Sequence, residues 1–325
     1  MVAKLKMKTE MQRLFGHWHA APILSIEIPT SGTINDVRIV ATDTDRYVLR
    51  IYRHNDTERV ELEHAVVHWL AEQGFPAVAP LPKPDGATYH LDDGRLVTLL
   101  PCAQGVQVAR SELGPAEIAA MGCCLGELHG IMRHCPVEGI PVAKFALNRD
   151  ETLAEIDRFL DRIEALKEKS ESDENALCRL ATRRDWLLSR GCDEVEIDPR
   201  AAQLLHGDYQ ESNVFFARGQ ISAVIDWDKI YKASAAWEVI RTLDIMLRFS
   251  ADTSRVFLDG YRQKQDLSIV ELDRAAHLYG LMRAYDLWLF REIYDRGNER
   301  MRQFVYPGEF VPIEEQFLAL RPHIA

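Results

Sequence analysis

No apolar run in this 325-residue chain approaches the roughly 18 residues needed to cross a membrane. The opening Lys4, Lys6 and Lys8 are followed by no apolar core of a secretory signal. A cytoplasmic protein without a membrane partner is therefore expected. Positive charge is scarce: 39 Lys and Arg stand against 50 Asp and Glu, a formal net charge of −11. A polyanion needs clustered cations, so nucleic acid is excluded as the expected partner. The six cysteines, Cys102, Cys123, Cys124, Cys135, Cys178 and Cys192, show no CxxC spacing and no His pairs at zinc-ligand intervals. They are expected to be reduced and mostly buried thiols. A P-loop GxxxxGK[ST] is absent, as are internal repeats and low-complexity linkers. What remains is 47% hydrophobic and 27% charged, enough to bury a large core as one bilobal unit or two domains.

The richest stretch is residues 204 to 228, LLHGDYQESNVFFARGQISAVIDWD. The cluster from His206 to Asn213 lies between the apolar runs Leu204-Leu205 and Val214-Phe215-Phe216, which places it on a tight loop held by buried segments. Arg218-Gly219-Gln220 is a hairpin turn signal, and Ile221 to Ile225 forms a second strand that delivers Asp226 at its end. Phosphoryl transfer from ATP calls for such groups: a carboxylate to receive the substrate hydroxyl, with an amide oxygen and a second carboxylate to hold Mg²⁺ against the phosphates. The spacing H-x-D-x-x-x-x-N, followed by a strand ending in Asp, matches the kinase catalytic loop, with Ile225-Asp226-Trp227-Asp228 where protein kinases carry DFG. The bland alternative for Asp208 and Asn213 is that of Asx residues capping a turn.

HGDYQESNVFF followed by VIDWD resembles the aminoglycoside phosphotransferase and choline kinase branch of the protein-kinase-like fold, which also includes homoserine kinase type II and spore-coat kinase-like proteins. The resemblance implies Asp208 as catalytic base, Asn213 and Asp226 as Mg²⁺ ligands and His206 as a structural member of the loop. Asp228 is then either a third metal or substrate contact or a solvated turn residue.

Within that frame, residues 9 to 20 are expected to form a short helix, followed by strands over Ile23 to Ile28, Val37 to Ala41 and Tyr47 to Tyr52. The turn at Ser31 to Asn35 is where the resembled fold covers nucleotide phosphates, through Ser31 and Gly32, although it holds a single glycine and no GxGxxG. Alternation puts Val48, Arg50 and Tyr52 on one strand face and Leu49 and Ile51 on the other. Kinase-like enzymes commonly carry a phosphate-reaching lysine at the place of Arg50, paired to a helical glutamate. Guanidinium keeps the charge in a longer, planar form. Its expected partner is Glu63, with Val66, Val67 and Leu70 at i+3, i+4 and i+7 on a helix that Gly74 ends; Glu61 points elsewhere. Tyr89 to Leu91 and Leu96 to Leu100 flank an Asp-Gly turn as a hairpin, and the inter-lobe hinge is placed at residues 100 to 105.

Beyond the hinge the pattern is helical, beginning at Gly114-Pro115 and closing at Leu128-His129, with His129 expected in a capping or core role. Residues 150 to 190 are helical around a solvated loop, Lys167 to Asn175, and Trp237 to Leu247 and Asp266 to Arg300 complete the helices. On a helix from Ala275 to Asp295, Tyr279, Arg283, Asp286 and Phe290 share one side, where Arg283 and Asp286 line a substrate pocket or simply pack. Residues 1 to 100 carry 11 Lys and Arg against 13 Asp and Glu, and residues 101 to 325 carry 28 against 37. An acidic large lobe attracts a cationic acceptor, whereas a homoserine-like acid needs a positive anchor such as Arg241 or Arg283.

The expected fold is α+β and bilobal: a nucleotide-binding lobe over 1–100, a small antiparallel sheet with one helix, and a mainly helical catalytic and substrate lobe over 101–325. The expected activity is an ATP- and Mg²⁺-dependent kinase acting on a hydroxyl of an amino alcohol, aminoglycoside or homoserine-like acceptor, its oligomeric state left open. The alternative is a catalytically degenerate kinase-like module that binds nucleotide or a partner.

Overall fold

The computed structural model describes residues 2–29, 35–144, 147–190 and 202–324. Its contacts group the chain into a first unit of residues 1–141, 203–232 and 259–265 and a second of residues 142–202, 233–258 and 266–325.

In the first unit, β1 (Ser25–Glu27), β2 (Asp36–Ala41), β3 (Arg46–Ile51), β4 (His90–Asp92) and β5 (Arg95–Pro101) form an antiparallel sheet in the order β1-β2-β3-β5-β4. Leu49 and Ile51 of β3 face a core with Val40, Val97 and Leu99, which α1 (Val2–Phe15) covers through Met11, Leu14 and Phe15. The helix lies earlier than the expected 9 to 20. Lys4, Lys6 and Lys8 are good helix formers on its N-terminal turns. At its end the Gln12 amide turns the chain back, donating to the Ala21 carbonyl and accepting the Ile23 N–H at 2.7 Å.

On the opposite face of β3, Arg50 is buried in its turn, beside α2 (Thr57–Glu72). The Asp56 side chain caps this helix on the Arg59 N–H, and Glu63, Val66, Val67 and Leu70 are buried along it as the spacing predicts. Glu61 points away and accepts from the Tyr89 hydroxyl on the surface. Helix α3 (Pro115–Met132) starts at the expected proline. His129 is fully buried within it, its Nδ1 sharing a hydrogen with the Tyr261 hydroxyl at 2.8 Å, which is the core role expected. The remaining strands of this unit are β6 (Gln203–Leu205), paired with β9 (Tyr231–Ala233), and the hairpin of β7 (Val214–Ala217) with β8 (Gln220–Val224). Pro76 to Val78 lie along Val224, so the extended segment after α2 is hydrogen-bonded to the hairpin.

The second unit is helical. Helices α4 (Arg149–Glu164) and α5 (Glu171–Ser189) enclose Ile156, Phe159, Ile163, Leu180 and Leu187 in one core with Phe290, Ile293 and Tyr294. The loop expected over Lys167 to Asn175 is shorter than its charge indicated. Ser170 and Asp173 cap each other at the start of α5, and Asp173 is buried, receiving the Tyr294 hydroxyl at 2.8 Å and Arg302 at 2.6 Å. Then follow α6 (Ala235–Ile245), α7 (Ala251–Arg262, its last residues in the first unit), α8 (Ile269–Tyr285), the single turn α9 (Trp288–Phe290) and α10 (Ile313–Leu320).

The helix expected from Ala275 to Asp295 is broken. Asp286 takes an extended backbone (ψ 111) at the end of α8 and its Oδ1 accepts the Trp288 N–H, restarting the chain in a new direction. Asp286 and Phe290 therefore do not continue the side formed by Tyr279 and Arg283. Among the described cysteines all five are free thiols, but Cys124 alone is buried and Cys178 is exposed, so the expectation of mostly buried thiols is corrected. Among the described residues no helix is long and apolar enough to cross a membrane.

Candidate active site

The loop from His206 to Asn213 is built around a histidine with no solvent exposure. His206 Nδ1 accepts the Asp208 N–H at 3.1 Å, and its Nε2 faces the Ile225 carbonyl at 3.0 Å. A carbonyl can only accept, so the ring hydrogen is on Nε2. One side chain thus ties the loop carrying Asp208 to the residue before Asp226. Trp227 packs on the same ring at 4.4 Å between centroids. Gly207 has φ +81, and a Cβ there would lie 2.0 Å from the Lys229 carbonyl oxygen, so the approach of these two loops needs a residue without a side chain.

Asp208 is buried, and its Oδ2 accepts from Lys229 Nζ at 2.8 Å. Asn213 ends a 3₁₀ turn, Glu211–Asn213, and donates through Nδ2 to the Asp208 carbonyl at 2.9 Å. That bond fixes which end of the amide is nitrogen and turns Oδ1 into the available acceptor. The Asn213 carbonyl in turn accepts the Ile225 N–H at 2.9 Å.

Asp226 stands two residues beyond β8 at φ +68, a left-handed backbone that a non-glycine residue holds only where its surroundings impose it. Arg50 reaches it with Nη2 at 3.2 Å and reaches Asp228 Oδ2 at the same distance, while Nη1 donates to Glu63 Oε1 at 3.1 Å. One guanidinium so gathers three carboxylates that come from a helix and a loop distant in sequence. Burial of Arg50 opposes its charge, but Glu63, Asp226 and Asp228 more than offset this and its pKa is raised. Burial pushes the Glu63 carboxyl up to about 7, Arg50 acting against the shift and Asp228 and Asp226 with it. Asp226 is raised as well, by burial first, with Asp228 and Asp208 adding to it and Arg50 opposing.

Asp228 is not the solvated turn residue that was one of its two readings. It is buried, its Oδ2 also accepts from Asn35 at 3.2 Å, and its backbone carbonyl receives Arg59 Nη2. Its Oδ1 is buried without a hydrogen-bond partner among the described residues. A lone carboxylate oxygen in that state is costly unless an external donor or cation completes it. An amide oxygen at Asn213 with the carboxylates Asp226 and Asp228 is an all-oxygen donor set of the type a hard divalent cation takes, phosphate and water supplying its other ligands. A cleft of about 620 Å³ opens beside these residues, lined by Arg59, Glu63, Gly207, Asp228, Lys229 and Tyr231, a size suited to a small molecule.

The expected set from sequence divides three ways. His206, Asp208, Asn213, Asp226, Asp228, Arg50 and Glu63 all belong to the first unit and are linked by the bonds above. Ser31 and Gly32 lie outside the described residues. Arg283 and Asp286 belong to the second unit, where they meet each other at 3.4 Å. The sequence reading missed Lys229, Asn35 and Arg59. Lys229 had a weak signal, a cation directly following VIDWD; Asn35 and Arg59 are ordinary turn and helix residues whose reach depends on the fold.

The model of the phosphotransferase enzyme family matches residues 25–278, and the chain belongs to that family. It is therefore a phosphotransferase. It is 26% identical over 250 residues to a homoserine kinase of Caulobacter vibrioides, covering 74% of this chain and 73% of the relative. It is 24% identical to a homoserine kinase of Phenylobacterium zucineum, covering 82% and 79%. Among solved structures, spectinomycin phosphotransferase in complex with ADP and spectinomycin superposes with a TM-score of 0.69 at 12% identity, over 97% of this chain and 98% of that one. A microcompartment-associated aminopropanol kinase gives 0.58 at 16% identity, over 91% and 94%. The fold is that of the protein-kinase-like aminoglycoside phosphotransferases, as the sequence resemblance implied, and the class of activity is that of the phosphotransferase family.

Proposed function

We propose that this protein transfers the γ-phosphate of ATP, with Mg²⁺, to a hydroxyl of an amino alcohol, aminoglycoside or homoserine-like acceptor. The observation that carries the reading is the convergence of Arg50, Glu63, Asp226 and Asp228 next to the loop of Asp208 and Asn213. Phosphoryl transfer asks a protein mainly to position groups and compensate charge. Asp208 orients the acceptor hydroxyl and takes its proton as the new P–O bond forms and the bond between the γ-phosphorus and the bridging oxygen of ADP breaks, ADP leaving, and Lys229 holds the carboxylate in place. Arg50, fixed by Glu63, together with Ser31 and Gly32, positions the nucleotide phosphates. Asn213 and Asp226 would hold the metal, with Asp228 offering a further oxygen. When bound, Mg²⁺ neutralises the phosphate oxygens between which charge is redistributed. In lobe terms, residues 1–100 serve the nucleotide and 101–325 the catalytic and substrate groups, in a cytoplasmic enzyme.

The three acceptor classes are supported by different relatives: homoserine kinases, a spectinomycin phosphotransferase and an aminopropanol kinase. The test is thermal stabilisation by Mg²⁺-ATP, wild type against Asp226→Ala, followed by ADP release over a panel of amino alcohols, hydroxy amino acids and aminoglycosides. Stabilisation that Asp226→Ala largely removes, with one acceptor class driving ADP release, supports the kinase reading. No shift, or one indifferent to Asp226, leaves the catalytically degenerate binding module in its place.

A further inference from the structure

Several arginines of the second unit gather around only two carboxylates, Asp244 and Asp286. Helix α5 carries Arg179 and Arg183 one turn apart. Arg183 is 8% exposed; its Nη1 donates to the Asp286 backbone carbonyl at 2.9 Å, and its guanidinium lies 4.7 Å from the Phe310 ring centre and 5.7 Å from that of Phe290. Its Nε is buried without a hydrogen-bond partner among the described residues. Arg283 of α8 approaches the same residue from its side chain, 3.4 Å from Asp286 Oδ2, and stands 3.6 Å from Asp244 Oδ2, which already accepts the Tyr279 hydroxyl at 2.9 Å. Arg179 donates to the Glu309 carbonyl, and Arg248 lies over the Tyr306 ring.

These cations act on one another. Burial, then Arg283 and Arg179, push the Arg183 guanidinium down to about 9, with Asp286 opposing; burial and then Arg283 lower Arg179. At neutral pH Arg183 remains charged. Two carboxylates facing this many guanidiniums, one of them buried with an unsatisfied N–H, leave a positive excess in a chain whose net charge is −11. Such an excess is costly unless an anion completes it. The guanidinium fork is shaped for the paired oxygens of carboxylate or phosphate. Arg183 is buried, whereas Arg179 is half-buried and the Arg283 side chain is 41% exposed.

We propose that Arg179, Arg183 and Arg283 form a binding site for the carboxylate or phosphate group of a small molecule. The ligand is a free small anion, and this site does not rest on the kinase reading above.

Inorganic phosphate is titrated into the full-length protein with ionic strength matched by chloride, following the unfolding midpoint of wild type, Arg183→Met, Arg179→Gln and Arg283→Gln. A saturable rise in wild type that the variants lose supports the site. The two half-exposed positions keep the test valid should Arg183→Met fail to fold. A wild-type midpoint no more sensitive to phosphate than to chloride, or a phosphate effect unchanged in Arg179→Gln and Arg283→Gln, overturns the site. The outcome is independent of the kinase reading, because the phosphate titration does not depend on turnover.

Discussion

Lys229 Nζ lies 2.8 Å from Asp208 Oδ2, although 21 residues separate them. The ammonium comes from the segment that follows Asp226 and Asp228, so the proposed base is held by the neighbour of the proposed metal ligands. Asp208 is buried while the Lys229 side chain is 41% exposed.

Lys229→Met leaves the Asp208 carboxylate without this donor and, on the proposed mechanism, removes a cation beside the transferring phosphoryl group. The expected result is a fall in kcat of roughly tenfold to hundredfold, with the affinity for Mg²⁺-ATP little changed. Steady-state kinetics with both substrates varied checks this; a loss confined to nucleotide affinity would assign Lys229 to the wrong substrate.

Two glycines at similar φ predict different costs. Gly207→Ala places a methyl group 2.0 Å from a backbone oxygen of Lys229, whereas Gly219, at φ +74 in the β7–β8 turn, has no described atom within 4 Å of its added Cβ. Gly219→Ala carries only the left-handed penalty of about 1–2 kcal/mol. Gly207→Ala must also push the loops of Gly207 and Lys229 apart, and is expected to cost more than that and to abolish turnover. Urea unfolding of both variants side by side gives the comparison.

Neighbouring residues on α2 predict opposing pH effects. Glu63 is raised to about 7 in the fold by burial, so it binds a proton that the unfolded chain releases near 4.5. Stability from Glu63 is therefore lost as pH rises through that window. His64 is lowered to about 3, by burial first and then by His68 and Arg50, so below about 6.5 the unfolded chain binds the proton instead and stability falls with falling pH. Between about 4.5 and 6.5 the two slopes cancel in the wild type. Glu63→Gln should leave stability rising with pH, and His64→Gln should leave it falling, each by up to about 1.4 kcal/mol per pH unit. Two variants with the same slope would refute the pairing.

Arg50→Met removes the cation that bridges Glu63, Asp226 and Asp228. Leaving buried carboxylates unmatched is expected to destabilise by roughly 3–5 kcal/mol. Arg50→Lys restores one point charge and cannot serve three carboxylates at once, so it should recover the stability only incompletely. Chemical denaturation of both variants, with and without Mg²⁺-ATP, reads the two effects.

Much of this was legible because the informative residues are close in sequence. His206 to Asn213 and Asp226 sit in a strand-loop-strand pattern whose turn chemistry is local, and alternation along β3 fixed which face carries Arg50. The pairing of Arg50 with a helical glutamate was implied by the kinase resemblance, and helix periodicity selected Glu63 over Glu61. Its reach to Asp226 and Asp228 was not, since no local rule relates positions 176 residues apart. Asp228 was equally suited to solvent because nothing in its neighbours announces Asn35 or Arg59 above it. The break at Asp286 was hidden by a pattern that stays apolar at helical spacing through Phe290, while the decisive event is one side-chain bond to the Trp288 N–H. Asp173 misled in the opposite sense: within a run of charges it looks like surface, and only the helix cap and Arg302 make it interior.

His206 bonds at once to the Asp208 N–H and the Ile225 carbonyl. The pair of loops it spans therefore behaves as a single machined insert with one internal dimension. Its alignment is set by one buried ring and two hydrogen bonds rather than by the turns that flank it.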